Sequence, residues 1–138
     1  MNLAQQGSDL RLAQLGNDLK DLEQIGMDKL VEIAEETGRY LCQKNLKMNQ
    51  IRRFLDGVRR IESELKGKTE FSQVQDSIVL LRPKLAYAAG RDKMKVKPLM
   101  DVLDPAIKSG AKSKENFQKL LRLIEGIVAY HKFHGGGN

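Results

Sequence analysis

The sequence predicts an all-α fold, a single compact bundle of five or six helices. Apolar residues recur at helical spacing along nearly the whole chain, and no extended run alternates apolar with polar as a half-buried strand would. The chain has 138 residues, 41% of them apolar, which suits one domain with a real core; two domains would each be too small to bury one comfortably. Charged side chains make up 30%, a globular balance rather than a disordered one. Residues 1–134 are therefore read as one helical domain and 135–138, which hold Gly135, Gly136 and Gly137, as a flexible tail.

Leu12, Leu15, Leu19 and Leu22 form a short heptad-like seam that predicts a first helix bounded by Gly26. So short a seam does not hold a free coiled coil, so this helix must dock on the body of the protein or on another subunit. Leu30, Ile33, Ala34, Thr37 and Leu41 mark a second helix from about Asp28 to Gln43, with Glu32, Glu35 and Glu36 outside and Asn45 as the break. Ile51, Phe54, Leu55, Val58, Ile61 and Leu65 give the cleanest stripe in the chain, a helix from near Asn49 to Gly67. A fourth helix starts near Glu70 and uses Phe71, Val74, Ile78 and Leu81 before meeting Pro83, where it either kinks or restarts with the proline in a first turn; Gly90 then offers a stop. Arg91 to Lys97 reads as an exposed basic loop in preference to an edge strand, and Pro98 as the opening of a short helix ending at Gly110, bent at Pro105. Ser113 caps the last helix, in which Phe117, Leu120, Leu121, Ile124, Ile127, Val128 and His131 follow at helical spacing.

Charge is distributed unevenly. Residues 39–97 hold 15 lysines and arginines against 6 carboxylates, whereas the first 38 residues hold 3 against 8. The formal net charge of +6 understates this asymmetry, and a basic middle beside an acidic start fits a protein that holds a polyanion with one face, or else a merely solvated charged surface. At about 100° per residue, Arg52, Arg53, Arg59 and Arg60 fall within an arc of about 120° opposite the apolar stripe of the third helix, and Lys66 extends that flank. Guanidinium groups on successive turns suit bidentate contacts with phosphates. Arg82, Lys84, Arg91, Lys93, Lys95 and Lys97 continue the basic stretch, opposed in it by Asp92 alone, and suit backbone contact without base reading. Tyr87 either stacks a base or packs among Ala86, Ala88 and Ala89.

Catalytic readings find no support in the residues. His131 and His134 lie together at the C-terminal end with no carboxylate pattern to complete a metal site or an acid–base pair, and are read as a helix end favouring positive charge and a tail touching RNA. No glycine-rich phosphate loop is present, Cys42 alone permits neither an internal disulfide nor a zinc site, and no cofactor is expected. No apolar run approaches membrane-spanning length and the N-terminus lacks a secretory h-region, so the expectation is a cytoplasmic, non-membrane protein.

Four blocks then point to a family: Leu30-Val31-Glu32-Ile33-Ala34-Glu35-Glu36-Thr37-Gly38-Arg39-Tyr40-Leu41, Asn49-Gln50-Ile51-Arg52-Arg53-Phe54, Leu80-Leu81-Arg82-Pro83-Lys84-Leu85-Ala86-Tyr87-Ala88-Ala89-Gly90-Arg91, and Ile127-Val128-Ala129-Tyr130-His131-Lys132-Phe133-His134-Gly135-Gly136. In this order they resemble the small subunit of the type III-A CRISPR effector, the Csm complex. The resemblance runs from about residue 30 to the end; residues 1–26 lie outside it, and Met48 and Asn49 stand where the family more often has Ser or Thr before the third helix. It implies a non-catalytic RNA-binding helical bundle that stacks with neighbouring copies of itself, touches the backbone and large subunits, and contacts guide (CRISPR) RNA and target RNA through their backbones in antiviral defence. The family's basic surface maps onto Arg52, Arg53, Arg59 and Arg60, with Arg82, Lys84 and Arg91 from the proline-containing block. Two other readings stay open from the residues themselves: a stand-alone helix-turn-helix DNA-binding protein, and a structural adaptor without nucleic-acid affinity.

Overall fold

A computed structural model describes residues 3–67 and 69–138, and among them it contains seven α-helices and no strand. These are α1 (Leu3–Asp18), α2 (Met27–Gln43), α3 (Met48–Lys66), α4 (Phe71–Val79), α5 (Leu81–Arg91), α6 (Lys93–Gly110) and α7 (Lys114–Phe133), with a single 3-10 turn at Leu22–Gln24. The expected all-helical bundle is what forms, with seven helices among the described residues where five or six were expected, because the chain restarts near Pro83. Its apolar stripes merge into one core that runs from Leu12 to Ile127 and includes Phe117, Leu121, Val102 and Leu85.

The parallel pair α2 and α7 is the most extensively packed in the molecule. It forms because small residues line the crossing. A methyl group on Gly126 would lie 2.8 Å from the Cβ of Ala34, and one on Gly38 would lie 2.8 Å from the backbone nitrogen of His131, so the two backbones approach to a distance only glycine permits. Both helices end at the same pole in the same way. Beyond α2, Asn45 takes φ 63° while its N–H donates to Cys42 and that of Leu46 to Leu41. Beyond α7, Gly135 takes φ 99° while its N–H donates to Lys132 and that of Gly136 to His131. These are paired Schellman endings, and they explain why the chain breaks at Asn45.

The C-terminal glycines, read from sequence as a loose tail, fold back at this pole. The Gly137 carbonyl accepts the Met48 N–H at 2.8 Å, supplying a partner for one of the unpaired amides that open α3. Gly136 lies against the His131 ring so closely that a Cβ would sit 2.1 Å from ring atoms, and Cys42 Sγ donates to the His134 carbonyl at 3.3 Å. His131 is therefore not a surface charge: it is fully buried and its Nε2 donates to the Leu46 carbonyl at 2.6 Å. Its helical spacing placed it on the inward face of α7, where a backbone carbonyl accepts from Nε2 while Nδ1 has no hydrogen-bond partner.

The first helix docks, as the short seam required, but on α6 and antiparallel to α2. It stops at Asp18, short of the Gly26 boundary that the seam suggested. Leu19 and Leu22 are nonetheless fully buried, because the 3-10 turn continues inward what the helix began. That connector is held by polar contacts absent from any local pattern: Ser109 Oγ accepts the Leu22 N–H at 2.9 Å, and Lys119 Nζ donates to the Leu22 and Ile25 carbonyls at 2.8 and 2.7 Å. Arg11 bridges α1 to α2 through Glu36, with Nε and Nη2 on the two carboxylate oxygens at 2.5 and 2.9 Å.

The region around Pro83 restarts rather than kinks: α4 ends at Val79 and α5 begins at Leu81, which leaves Pro83 in the first turn where its missing N–H has no intrahelical role. The helix then runs through Gly90 to Arg91. The exposed basic loop expected at residues 91–97 is instead the last residue of α5, the Asp92 cap and the opening of α6. Asp92 caps it, its carbonyl accepting the Val96 N–H at 2.9 Å, so Pro98 lies inside the helix, buried, and does not open it. Half-buried Lys95 and exposed Lys97 on either side of buried Val96 belong to a helix, not to a strand edge.

Candidate nucleic-acid interface

Helix α3 opens with the Gln50 side chain turned back to accept the Lys47 N–H at 2.9 Å, the reciprocal half of a capping box, while no Ser or Thr cap is present. From this start the helix buries Ile51, Phe54, Leu55, Val58 and Ile61 and leaves Arg52, Arg53, Arg59 and Arg60 in solvent. The structure brings α5 alongside, antiparallel, because Gly57 admits the Leu81 side chain, whose Cδ2 would lie 3.4 Å from any Cβ there. The antiparallel register is pinned at the far end by Gln50 Nε2 donating to Asp92 Oδ2 at 3.3 Å.

Between the two helices lies a cleft of about 720 Å³. Arg53 and Arg60 line one wall and Lys84, Tyr87 and Arg91 the other, while Phe54, Leu81, Ala88 and Val96 contribute apolar surface between them. Each wall repeats its outermost cations at a spacing of seven residues, about 10 Å along a helix. Tyr87 is 70% exposed and so does not pack among its alanine neighbours; the Arg91 guanidinium stands 5.9 Å from its ring centroid. Asp92 is the sole carboxylate on the lining, and it is held by Gln50.

The four arginines read as one surface are divided by the tertiary structure. Arg53 and Arg60 face α5 across the cleft, whereas Arg59 turns towards α7 and donates to Glu125 at 3.3 Å. Glu125 also accepts from Arg122 at 2.6 Å; partial burial works against its ionisation, but the two guanidinium groups prevail and hold its carboxyl below the usual range. Arg52 lies two turns from Arg59 on that same flank and is exposed, and Lys66 pairs with Glu62 at 3.6 Å farther along. Arg82 does not join the cleft: it faces α6 and holds Asp104 with two hydrogen bonds at 2.8 and 3.2 Å, which raise its pKa. Lys93 stands apart, lining a second basic hollow with Lys44, Lys95 and Lys97, where Lys97 pairs with Asp101 and Lys44 with Asp9.

Asn49, Gln50 and Gly57 were not singled out from sequence. Their signal was present, since Asn49, Arg53, Gly57 and Arg60 recur at helical spacing on one flank of α3, but that flank acquires meaning only once α5 is beside it. Among the described residues no group of three or more His, Cys, Asp or Glu side chains is placed to hold a metal ion, and no helix is long and apolar enough to cross a membrane.

Fold and surface define an all-helical protein with a strongly basic two-helix face beside an acidic first third. The chain belongs to the Csm2 family of type III-A CRISPR systems, which matches it over residues 24–137. It is similar to the "CRISPR system Cms protein Csm2" of Streptococcus thermophilus, with 32% identity over 105 residues, 74% of this chain and 80% of that relative. It is thus a Csm small subunit, a component of a multi-subunit assembly.

Proposed function

We propose that this subunit is a non-catalytic clamp that holds guide RNA and target RNA inside its complex through sequence-independent backbone contacts, with the α3–α5 cleft as the primary contact. The observation that supports this most is the convergence of Arg53, Arg60, Lys84 and Arg91 on one cleft against a single carboxylate, Asp92, on its lining. A guide of any sequence must be accommodated, and cations that meet phosphates do so without reading bases. The flank bearing Arg52, Arg59 and Lys66 and the hollow around Lys93 are secondary contacts, because several of their cations are already neutralised by partners in the chain. Arg82 serves the fold through Asp104. The surfaces left for the backbone and large subunits and for neighbouring copies include the acidic outer face of α2, with exposed Glu32 and Glu35.

Fluorescence anisotropy of the purified chain against unrelated single-stranded RNAs across a salt series tests the reading. Four phosphate contacts predict a log–log salt slope of about −3, alike for all sequences. Paired charge reversal at Arg53 and Arg60 should remove about half that slope, and the same change at Arg52 and Arg59 distinctly less. Equal losses from the two pairs would contradict the division of the surface, and selective binding of one duplex DNA sequence would replace the clamp with a helix-turn-helix reader.

A further inference from the structure

We infer that the α3–α5 cleft receives one unstacked base of an RNA strand, its face against Tyr87 over the apolar floor and its flanking phosphates on Arg53, Arg60 and Lys84. The inference rests on the RNA-clamp reading and goes beyond it by assigning the cleft a nucleobase as well as a backbone. A track that met phosphates alone would gain nothing from apolar surface, yet the floor here is built from Phe54, Leu81, Ala88 and Val96 and the polar groups stand at its rim. A base has the opposite needs at its face and its edge, and this is the arrangement such a cleft meets.

Tyr87 carries the second strand of the argument. Its ring is 70% exposed, and Phe133 at the end of α7 is exposed as well, whereas Tyr40 and Tyr130 are partly buried against the core and Phe54 and Phe117 are buried. Burial therefore does not account for an aromatic at this place, and its position on the wall between Lys84 and Arg91 puts a stacking surface among four cations. Arg91 stands over the ring, 5.9 Å from its centroid, and adds a second planar group on which a base can stack. A cleft of about 720 Å³ has room for a nucleobase but not for a paired duplex, which meets the rim only. The net positive lining selects a polyanion over an apolar peptide.

The purified chain is titrated with a single-stranded RNA carrying 2-aminopurine, with an abasic strand of equal phosphate count, and with the fully paired duplex. Tyr87→Leu and Tyr87→Phe variants are compared with the parent, and their circular dichroism confirms the fold. The expected result is quenching of 2-aminopurine on binding, a loss of single-strand affinity of about 5- to 150-fold in Tyr87→Leu, near-parental affinity in Tyr87→Phe, and abasic RNA bound alike and weakly by all three. If the parent binds abasic and normal RNA equally, or Tyr87→Leu binds as the parent does, the base pocket is overturned while salt-dependent clamping stands. If the parent binds no RNA, both readings fall, and binding of a poly-glutamate peptide in its place would assign the cleft to an acidic protein segment.

Discussion

Replacing Gly38 with alanine adds one methyl group where α2 crosses α7, and the structure sets the size of the consequence. The new Cβ would lie 2.8 Å from His131 N and 3.0 Å from both Ile127 O and Tyr130 C. All three neighbours are backbone atoms of a buried helix, so none can rotate away, and restoring ordinary contact requires the helices to part by about half an ångström. Overpacking of this kind costs about 1–3 kcal/mol, and the absence of a yielding side chain puts Gly38→Ala at the upper end. Alanine returns about 1 kcal/mol through its better helix propensity, leaving a net loss of about 2 kcal/mol. For a chain of this length that lowers Tm by about 6–10 °C, read by far-ultraviolet circular dichroism on heating. Gly90→Ala is the control, because Gly90 is also helical but meets nothing within 4 Å. It should stabilise by up to about 1 kcal/mol through propensity alone. If the two substitutions shift Tm in the same direction, the close-approach account of the α2–α7 pair is wrong.

At the pole of the molecule, Gly136→Ala would drive a methyl group into the His131 ring, so the tail should detach and amide exchange at Met48 should accelerate; unchanged protection at Met48 would mean that Gly137 does not cap α3. Lys119→Met leaves the Leu22 and Ile25 carbonyls without their ammonium partner and should cost about 1–2 kcal/mol, measured by urea unfolding, with a result within error of the parent refuting its role as a clasp. The Arg11 hydrogen bond holds the Glu36 carboxyl below its ordinary value of 4.5, so the stability this pair contributes is complete above pH 4.5 and is lost as pH falls through the depressed value. Glu36→Gln should therefore flatten the acid limb of a stability–pH curve below pH 4.5, and a curve parallel to the parent's would show the pair to be inert.

Helices α3 and α7 were legible because their apolar stripes are complete and one-sided, and because Ser113 is a local cap: its Oγ accepts the Asn116 N–H at 3.1 Å, independently of any distant residue. The start of α6 was not legible, since Pro98 carries the same local signal whether it opens a helix or sits in its second turn; burial of Val96 and Pro98 against the core chose the longer helix. The end of α1 was misplaced for a related reason. Leu19 and Leu22 keep helical spacing through a 3-10 turn, and spacing alone does not distinguish one continuous helix from a helix followed by an inward turn held by Ser109 and Lys119, nearly a hundred residues away. His131 obeyed the apolar period, but only the Leu46 carbonyl reveals why an imidazole is tolerated there.

Helical class, the basic middle third and the family are written in the chain alone, because periodicity, composition and ordered blocks of residues need no folded neighbour to be recognised. The chain also placed four arginines on the polar side of α3. Which of them act together was decided by the tertiary structure. Helical period defines where a side chain points relative to its own axis, and not which neighbour it meets. The partner of Arg53 and Arg60 is a helix some thirty residues later, brought alongside by Gly57 and Gln50, and the partner of Arg59 is Glu125 on α7.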